Sequence, residues 1–165
     1  MLRGKAWKFG KNISTDLIAP GRYAYLRSNL LELAKHCLED ARADFVKNVK
    51  KGDFIVAGEN FGQGSSREHA PVIIKLNGVS AIMAKSIARI FFRNCINIGL
   101  PAIICDTDEL NEGDELAIEL DKGVVKNLTR GINISFTPLP QGMMNILKDG
   151  GLLNHIKKNG DFKLK

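Results

Sequence analysis

The chain has 165 residues, 44% apolar and 25% charged, with a net charge of +6; these values fit one globular domain with a continuous core and exclude a low-complexity or disordered chain. No stretch approaches the roughly 18 uninterrupted apolar residues of a membrane helix, and no signal-peptide core follows Met1-Leu2-Arg3-Gly4-Lys5, so a cytoplasmic protein is expected. The positive charge is dispersed: even its densest clusters, Lys47, Lys50 and Lys51, then Lys157 and Lys158, lack interleaved aromatics, which argues against a nucleic-acid platform and suits an acidic small molecule.

Taken in order, Gly4 to Phe9 reads as an opening strand and Gly10 to Arg27 as an irregular segment with Asp16, Pro20 and Gly21 as turn residues. Ser28 is placed to cap a helix through Leu38, with Leu30, Leu31, Leu33, Ala34, Cys37 and Leu38 recurring at the helical period as its buried face. A short helix at Phe45 to Val49 precedes a strand at Asp53 to Ala57. After a glycine-rich loop, Arg67 to Leu76 reads as helix ended by Asn77-Gly78, and Val79 to Ala84 as a buried strand.

Ser86 to Ile96 contains a second helix and Pro101 to Cys105 another buried strand, so the middle of the chain predicts a right-handed β-α-β-α-β core. Glu115 to Leu120, Val124 to Asn127 and Ile132 to Phe136 read as antiparallel strands, and Gln141 to Asn159 as a helix broken at Gly150-Gly151. The expected fold class is α/β, a mixed sheet core with flanking helices, and residues 1–165 are expected to form a single domain.

Cys37, Cys95 and Cys105 form no Cys-x-x-Cys pair and read as buried small hydrophobes, so neither a disulfide frame nor a metal site is expected on this chain. The loop is more informative. Gly58-Glu59-Asn60-Phe61-Gly62-Gln63-Gly64-Ser65-Ser66-Arg67-Glu68-His69 brings glycines, two hydroxyls and a guanidinium to a strand-to-helix turn. Glycines let backbone approach a ligand, Ser65 or Ser66 could cap the following helix, and its first turn would favour an anion. Spacing alone leaves an ordinary Ser-capped turn and an anion site both open. It does exclude a Walker loop and the dinucleotide fingerprint, because no Gly-Lys-Ser/Thr follows and the third glycine is missing.

The stretch Asn60 to Ala70 closely resembles the motif of the swivel domain of the aconitase superfamily, in the form of the separate small subunits of 3-isopropylmalate dehydratase and homoaconitase. Asn12 to Ile18, Ala88 to Asn94, Asn97 to Pro101 and Gly150-Gly151-Leu152 resemble further patterns of that family in the same order. The resemblance spans nearly the whole chain and implies the family's swivelling β/β/α domain. It implies a heteromeric hydro-lyase of hydroxy di- or tricarboxylic acids, most simply 3-isopropylmalate dehydratase of leucine biosynthesis. Homoaconitase and 2,3-dimethylmalate dehydratase small subunits are the near alternatives, and a non-catalytic anion- or RNA-binding module is the distant one.

The same resemblance implies a [4Fe-4S] cluster carried by a large subunit, none bound by this chain, and a heterodimer or heterotetramer that acts on a small hydroxy acid. Ser65 would take the proton from the carbon next to the hydroxyl-bearing one, a role a serine can fill only if its alkoxide is stabilised. Ser66 and Arg67 would bind substrate, Arg67 through two parallel hydrogen bonds to a carboxylate. A surface ion pair of Arg67 with Glu68 or Glu59 is the structural alternative. Asn60, Gly62, Gly64 and His69 would support the loop, while His36 and His155 read as structural or solvent-facing.

Substrate choice would lie in Gly21-Arg22-Tyr23-Ala24-Tyr25-Leu26-Arg27-Ser28. Tyr25-Leu26-Arg27-Ser28 resembles the homoaconitase-type loop, so Arg27 would receive an extra carboxylate, whereas an apolar residue there suits an isopropyl group. Tyr23-Ala24 reads as an insertion, and Arg27 could equally cap or pair at the surface.

Overall fold

The computed structural model describes residues 1–160; residues 161–165 of the expected domain lie outside the described residues. The chain runs β1 (Leu2–Lys8), α1 (Thr15–Ile18), a 3-10 helix (Gly21–Leu26), α2 (Leu30–Ala34), α3 (Phe45–Asn48), β2 (Phe54–Ala57), α4 (His69–Leu76) and β3 (Ala81–Ala84). It continues through α5 (Arg89–Asn97), β4 (Ala102–Ile104), β5 (Glu115–Glu119), β6 (Val124–Asn127), β7 (Ile132–Ser135), α6 (Gln141–Lys148) and α7 (Leu152–Asn159). Among the described residues, no helix is long and apolar enough to cross a membrane.

The strands form one seven-stranded mixed sheet in the order β4-β3-β2-β1-β5-β6-β7. β1 to β4 pair in parallel, with Ala6 opposite Phe54, Ile55 opposite Ile82 and Met83 opposite Ile103. β1 then pairs antiparallel with β5, and β5, β6 and β7 follow antiparallel. Successive side chains of a strand face opposite sides. Ile55, Ala57, Ile82 and Ala84 therefore join the core under α1, α2, α4 and α5, while Phe54, Val56, Ala81 and Met83 join a second core with Leu116, Ile118, Val125 and Phe136. Burial on both faces is why β2 and β3 read as unbroken apolar runs. Asp53 is buried just before β2, but it accepts from Trp7 Nε1, Lys5 N and Lys50 N, which satisfies the carboxylate and ties β1 to β2.

Three local readings are corrected. The segment Gly10 to Arg27 holds α1 and the 3-10 helix instead of being irregular throughout. Asn29, not Ser28, caps α2, accepting from the Glu32 amide. That helix stops at Ala34, whose carbonyl is taken by Asn77 Nδ2; the chain then turns until Leu38 adopts a φ of 57°, which no helix can contain. Leu31 consequently faces solvent at 70% exposure, while Leu33, Ala34, Cys37 and Leu38 are buried.

The third correction concerns the loop. α4 begins at His69 instead of Arg67, with Glu68 at the cap position, and neither Ser65 nor Ser66 caps it. Pro71 supplies the reason: it has no amide hydrogen, so starting at His69 leaves it in the first turn, where no intrahelical donor is needed. The two hydroxyls are thereby left on the loop.

Candidate active site

The loop after β2 leaves the C-terminal end of a parallel strand, the usual location of ligand sites in open α/β sheets. Its backbone is fixed from three sides. Asn60, at a φ of 59°, donates from Nδ2 to Asn12 Oδ1 at 3.0 Å, and its amide donates to Ser86 Oγ at 2.8 Å. Gly62, at a φ of 79°, donates to the Ile13 carbonyl at 2.7 Å. A Cβ there would stand 2.2 Å from Phe91 Cγ, so the close approach of loop and α5 requires glycine. Thr15, buried at the start of α1, donates from its hydroxyl to the Ser65 carbonyl at 3.0 Å and from its amide to the Gln63 carbonyl at 2.8 Å. Gly64, at a φ of 111°, passes over that hydroxyl. The backbone is thus held while the Ser65 and Ser66 side chains remain exposed.

Arg67 is half-buried among these groups. Its Nε donates to Ser65 Oγ at 3.0 Å, and Nη1 donates to the Ala19 carbonyl at 2.6 Å. Nη1 also lies 3.2 Å from Asp16 Oδ1, which in turn accepts from the Gly21 amide at 3.0 Å. Asp16, not Glu68 or Glu59, is therefore the ion-pair partner. Nη2 makes no hydrogen bond among the described residues, so half of the guanidinium is already engaged in shaping the loop.

Ser65, Ser66 and Arg67 line a cavity of about 200 Å³ together with Thr15, Gly62, Gly64 and the beginning of α5, namely Ala88, Arg89, Ile90, Phe91 and Asn94. A larger hollow of about 420 Å³, lined by Leu2, Ser80, Pro101 and Met144, lies at the other end of the parallel strands and shares none of these groups.

His69 opens α4 and is half-buried. Burial first, then the positive charges of Arg67 and Arg27, push its imidazole below the ordinary value. Arg27 thus lies within electrostatic reach of the same histidine. It is exposed at the end of the 3-10 helix and forms no ion pair among the described residues. That helix is moored by Tyr23, whose hydroxyl donates to Glu39 at 2.8 Å and whose ring stacks on His36 at 3.8 Å, so Tyr23 is a packing residue while Ala24 beside it is exposed. Among the other histidines, His36 Nδ1 lies 2.8 Å from Glu39 Oε2, and buried His155 lies 2.7 Å from Asp149 Oδ2.

Cys37, Cys95 and Cys105 are buried and separate, and burial raises each thiol, that of Cys105 to about 11. Among the described residues no group of three or more His, Cys, Asp or Glu side chains is placed to hold a metal ion. Thr15, Asp16 and Arg89 escaped the sequence reading as site residues. Thr15 and Asp16 lie in a segment the family resemblance had marked, but nothing local shows which side chain some 50 residues away each would meet.

The mixed sheet, with hydroxyls and a guanidinium held on one loop at the end of its parallel half, defines an α/β domain that presents hydrogen-bond donors and a positive charge at an open cavity. The chain belongs to the aconitase C-terminal domain family, whose pattern matches residues 12–107. It is 63% identical over 163 residues to 3-isopropylmalate dehydratase small subunit 1 of Thermotoga maritima, and 60% identical over 161 residues to small subunit 2 of Archaeoglobus fulgidus; each alignment covers 98% of both chains. It is also 53% identical to the methanogen homoaconitase small subunit of Methanothermobacter thermautotrophicus, over 98% of this chain and 94% of that one. Its fold matches the crystal structure of 3-isopropylmalate dehydratase from Methanocaldococcus jannaschii with a TM-score of 0.91 at 47% identity, covering 96% of this chain and 95% of the other.

Proposed function

We propose that the chain, as one swivel domain, is the small subunit of a heteromeric aconitase-type hydro-lyase, 3-isopropylmalate dehydratase, acting in the cytoplasm only with its large subunit. The observation that carries this reading is the exposed Ser65 hydroxyl, which receives the Arg67 Nε–H at 3.0 Å on the wall of an open cavity. An unperturbed serine is far too weak an acid to serve as a base near neutrality. A guanidinium donor fixed on its oxygen favours the charged form and costs no reorganisation when the proton moves. Ser65 then takes the proton from the carbon adjacent to the hydroxyl-bearing one, Arg67 offers Nη2 to a substrate carboxylate, and Ser66 is a neighbouring hydrogen-bonding group. Asn60, Gly62, Gly64 and His69 keep the loop in shape.

The family resemblance assigns a [4Fe-4S] cluster to the large subunit, where it would supply Lewis-acid activation of the substrate hydroxyl. This chain then provides one wall of the cleft, in a heterodimer or heterotetramer.

Arg27 supports a second reading. An exposed guanidinium without an ion pair among the described residues, close enough to influence His69, suits a third carboxylate, as a homoaconitase substrate carries. An arginine facing an isopropyl group would gain nothing from it. The deciding experiment is a panel of 3-isopropylmalate, homoaconitate-type tricarboxylates and 2,3-dimethylmalate with the reconstituted complex. Ser65→Ala in that complex is expected to reduce turnover at least ~1000-fold with assembly intact; near-normal turnover would remove Ser65 as the base. A binding module without chemistry would give no turnover with any large subunit.

A further inference from the structure

We infer that Arg89 is a second substrate-binding cation of this cavity, taking the carboxylate that Arg67 does not. The inference rests on the hydro-lyase reading and extends it to the opening residue of α5.

Two observations on the cavity lead there. Arg67 cannot present a free two-pronged fork while Nε holds Ser65 Oγ and Nη1 holds the Ala19 carbonyl beside Asp16. A dianionic substrate in the same space therefore meets only Nη2 of that residue. Arg89 lines the same cavity, is exposed, and makes no hydrogen bond or ion pair among the described residues, so its whole fork is available for a carboxylate.

The backbone on which Arg89 stands is also built in. The Phe61 amide donates to the Ser86 carbonyl at 3.0 Å, and the Ala88 amide donates to the Phe61 carbonyl at 2.9 Å. Together they form a one-residue parallel bridge between the loop and the approach to α5. Phe61 and Phe91 then meet edge to face at 5.4 Å. The cation one residue beyond Ala88 is thus tied to the loop that carries Ser65, which is the requirement for holding a small dicarboxylate in a fixed pose.

The test uses the complex with its large subunit in a Ser65→Ala background, where binding is read without turnover. Calorimetric titration with 3-isopropylmalate, and separately with malonate as a plain dianion, is expected to show at least tenfold weaker binding when Arg89→Gln is added. Arg89→Lys should recover part of that loss. Unchanged affinity for both anions in the Arg89→Gln complex overturns the inference. So does weakened association with the large subunit at unchanged anion affinity, which would place Arg89 in the subunit interface. Failure of the hydro-lyase reading would look different: a wild-type complex that binds 3-isopropylmalate or malonate in an Arg89-dependent way but dehydrates nothing.

Discussion

Arg67 Nε donates to Ser65 Oγ at 3.0 Å, so a guanidinium and a hydroxyl two residues apart on one loop are joined directly. Arg67→Lys keeps the charge but removes both the planar fork and the Nε–H. Losing a donor aimed at a developing oxyanion typically reduces kcat on the order of 100- to 1000-fold. Steady-state kinetics of the reconstituted complex should show that fall in kcat, with a smaller rise in KM. A change confined to KM would reduce Arg67 to a binding group.

Arg27 stands at the end of the 3-10 helix, exposed and without an ion pair among the described residues, near enough for its charge to act on His69. Arg27→Val should shift kcat/KM toward alkyl-substituted malates and away from tricarboxylates. One carboxylate contact is worth about 2 kcal/mol, hence roughly a thirtyfold change in the ratio. Equal ratios in wild type and variant across the panel would take Arg27 out of substrate selection.

Gly62→Ala places a Cβ 2.2 Å from Phe91 Cγ at a φ of 79°. Overpacking and left-handed backbone together should cost about 2 to 4 kcal/mol of stability, measurable by urea denaturation. The added Cβ meets both the ring and, at 2.6 Å, Phe91 Cβ, so the same substitution on a Phe91→Ala background, which removes only the ring, should cost less without becoming neutral. Full additivity of the two changes would show that the ring is not the cause.

Asp149 closes α6 and joins it to α7, with Lys158 Nζ at 2.8 Å and His155 Nδ1 at 2.7 Å. The Lys158 hydrogen bond, then that of His155, hold its carboxyl below the usual carboxylate range. A lowered folded-state value contributes stability above the ordinary value, and that contribution is lost as pH falls through the lowered one. The Tm gap between wild type and Asp149→Asn should therefore be widest near neutrality and close below about pH 4. A gap that stays constant down to acid pH would mean that the carboxylate charge is irrelevant to this junction.

The sequence by itself determined the groups and the local grammar. Unbroken apolar runs at residues 54–57 and 81–84 had to be strands buried on both faces, Gly150-Gly151 had to break the last helix, and the loop had to carry two hydroxyls and a guanidinium. These follow from side-chain period and from allowed φ and ψ, which are properties of neighbours in the chain.

Only the tertiary structure decided what those groups meet. β1 entered the sheet between its parallel and antiparallel halves, and this brought residues 12–19 against a loop about 50 positions later in the chain. Thr15 thereby grips the Ser65 carbonyl, Asp16 and Ala19 occupy one side of Arg67, and Arg89 comes to line the same cavity. Such meetings depend on which strands pair, and pairing is selected by the burial of whole faces, a property of the assembled sheet that no single segment carries.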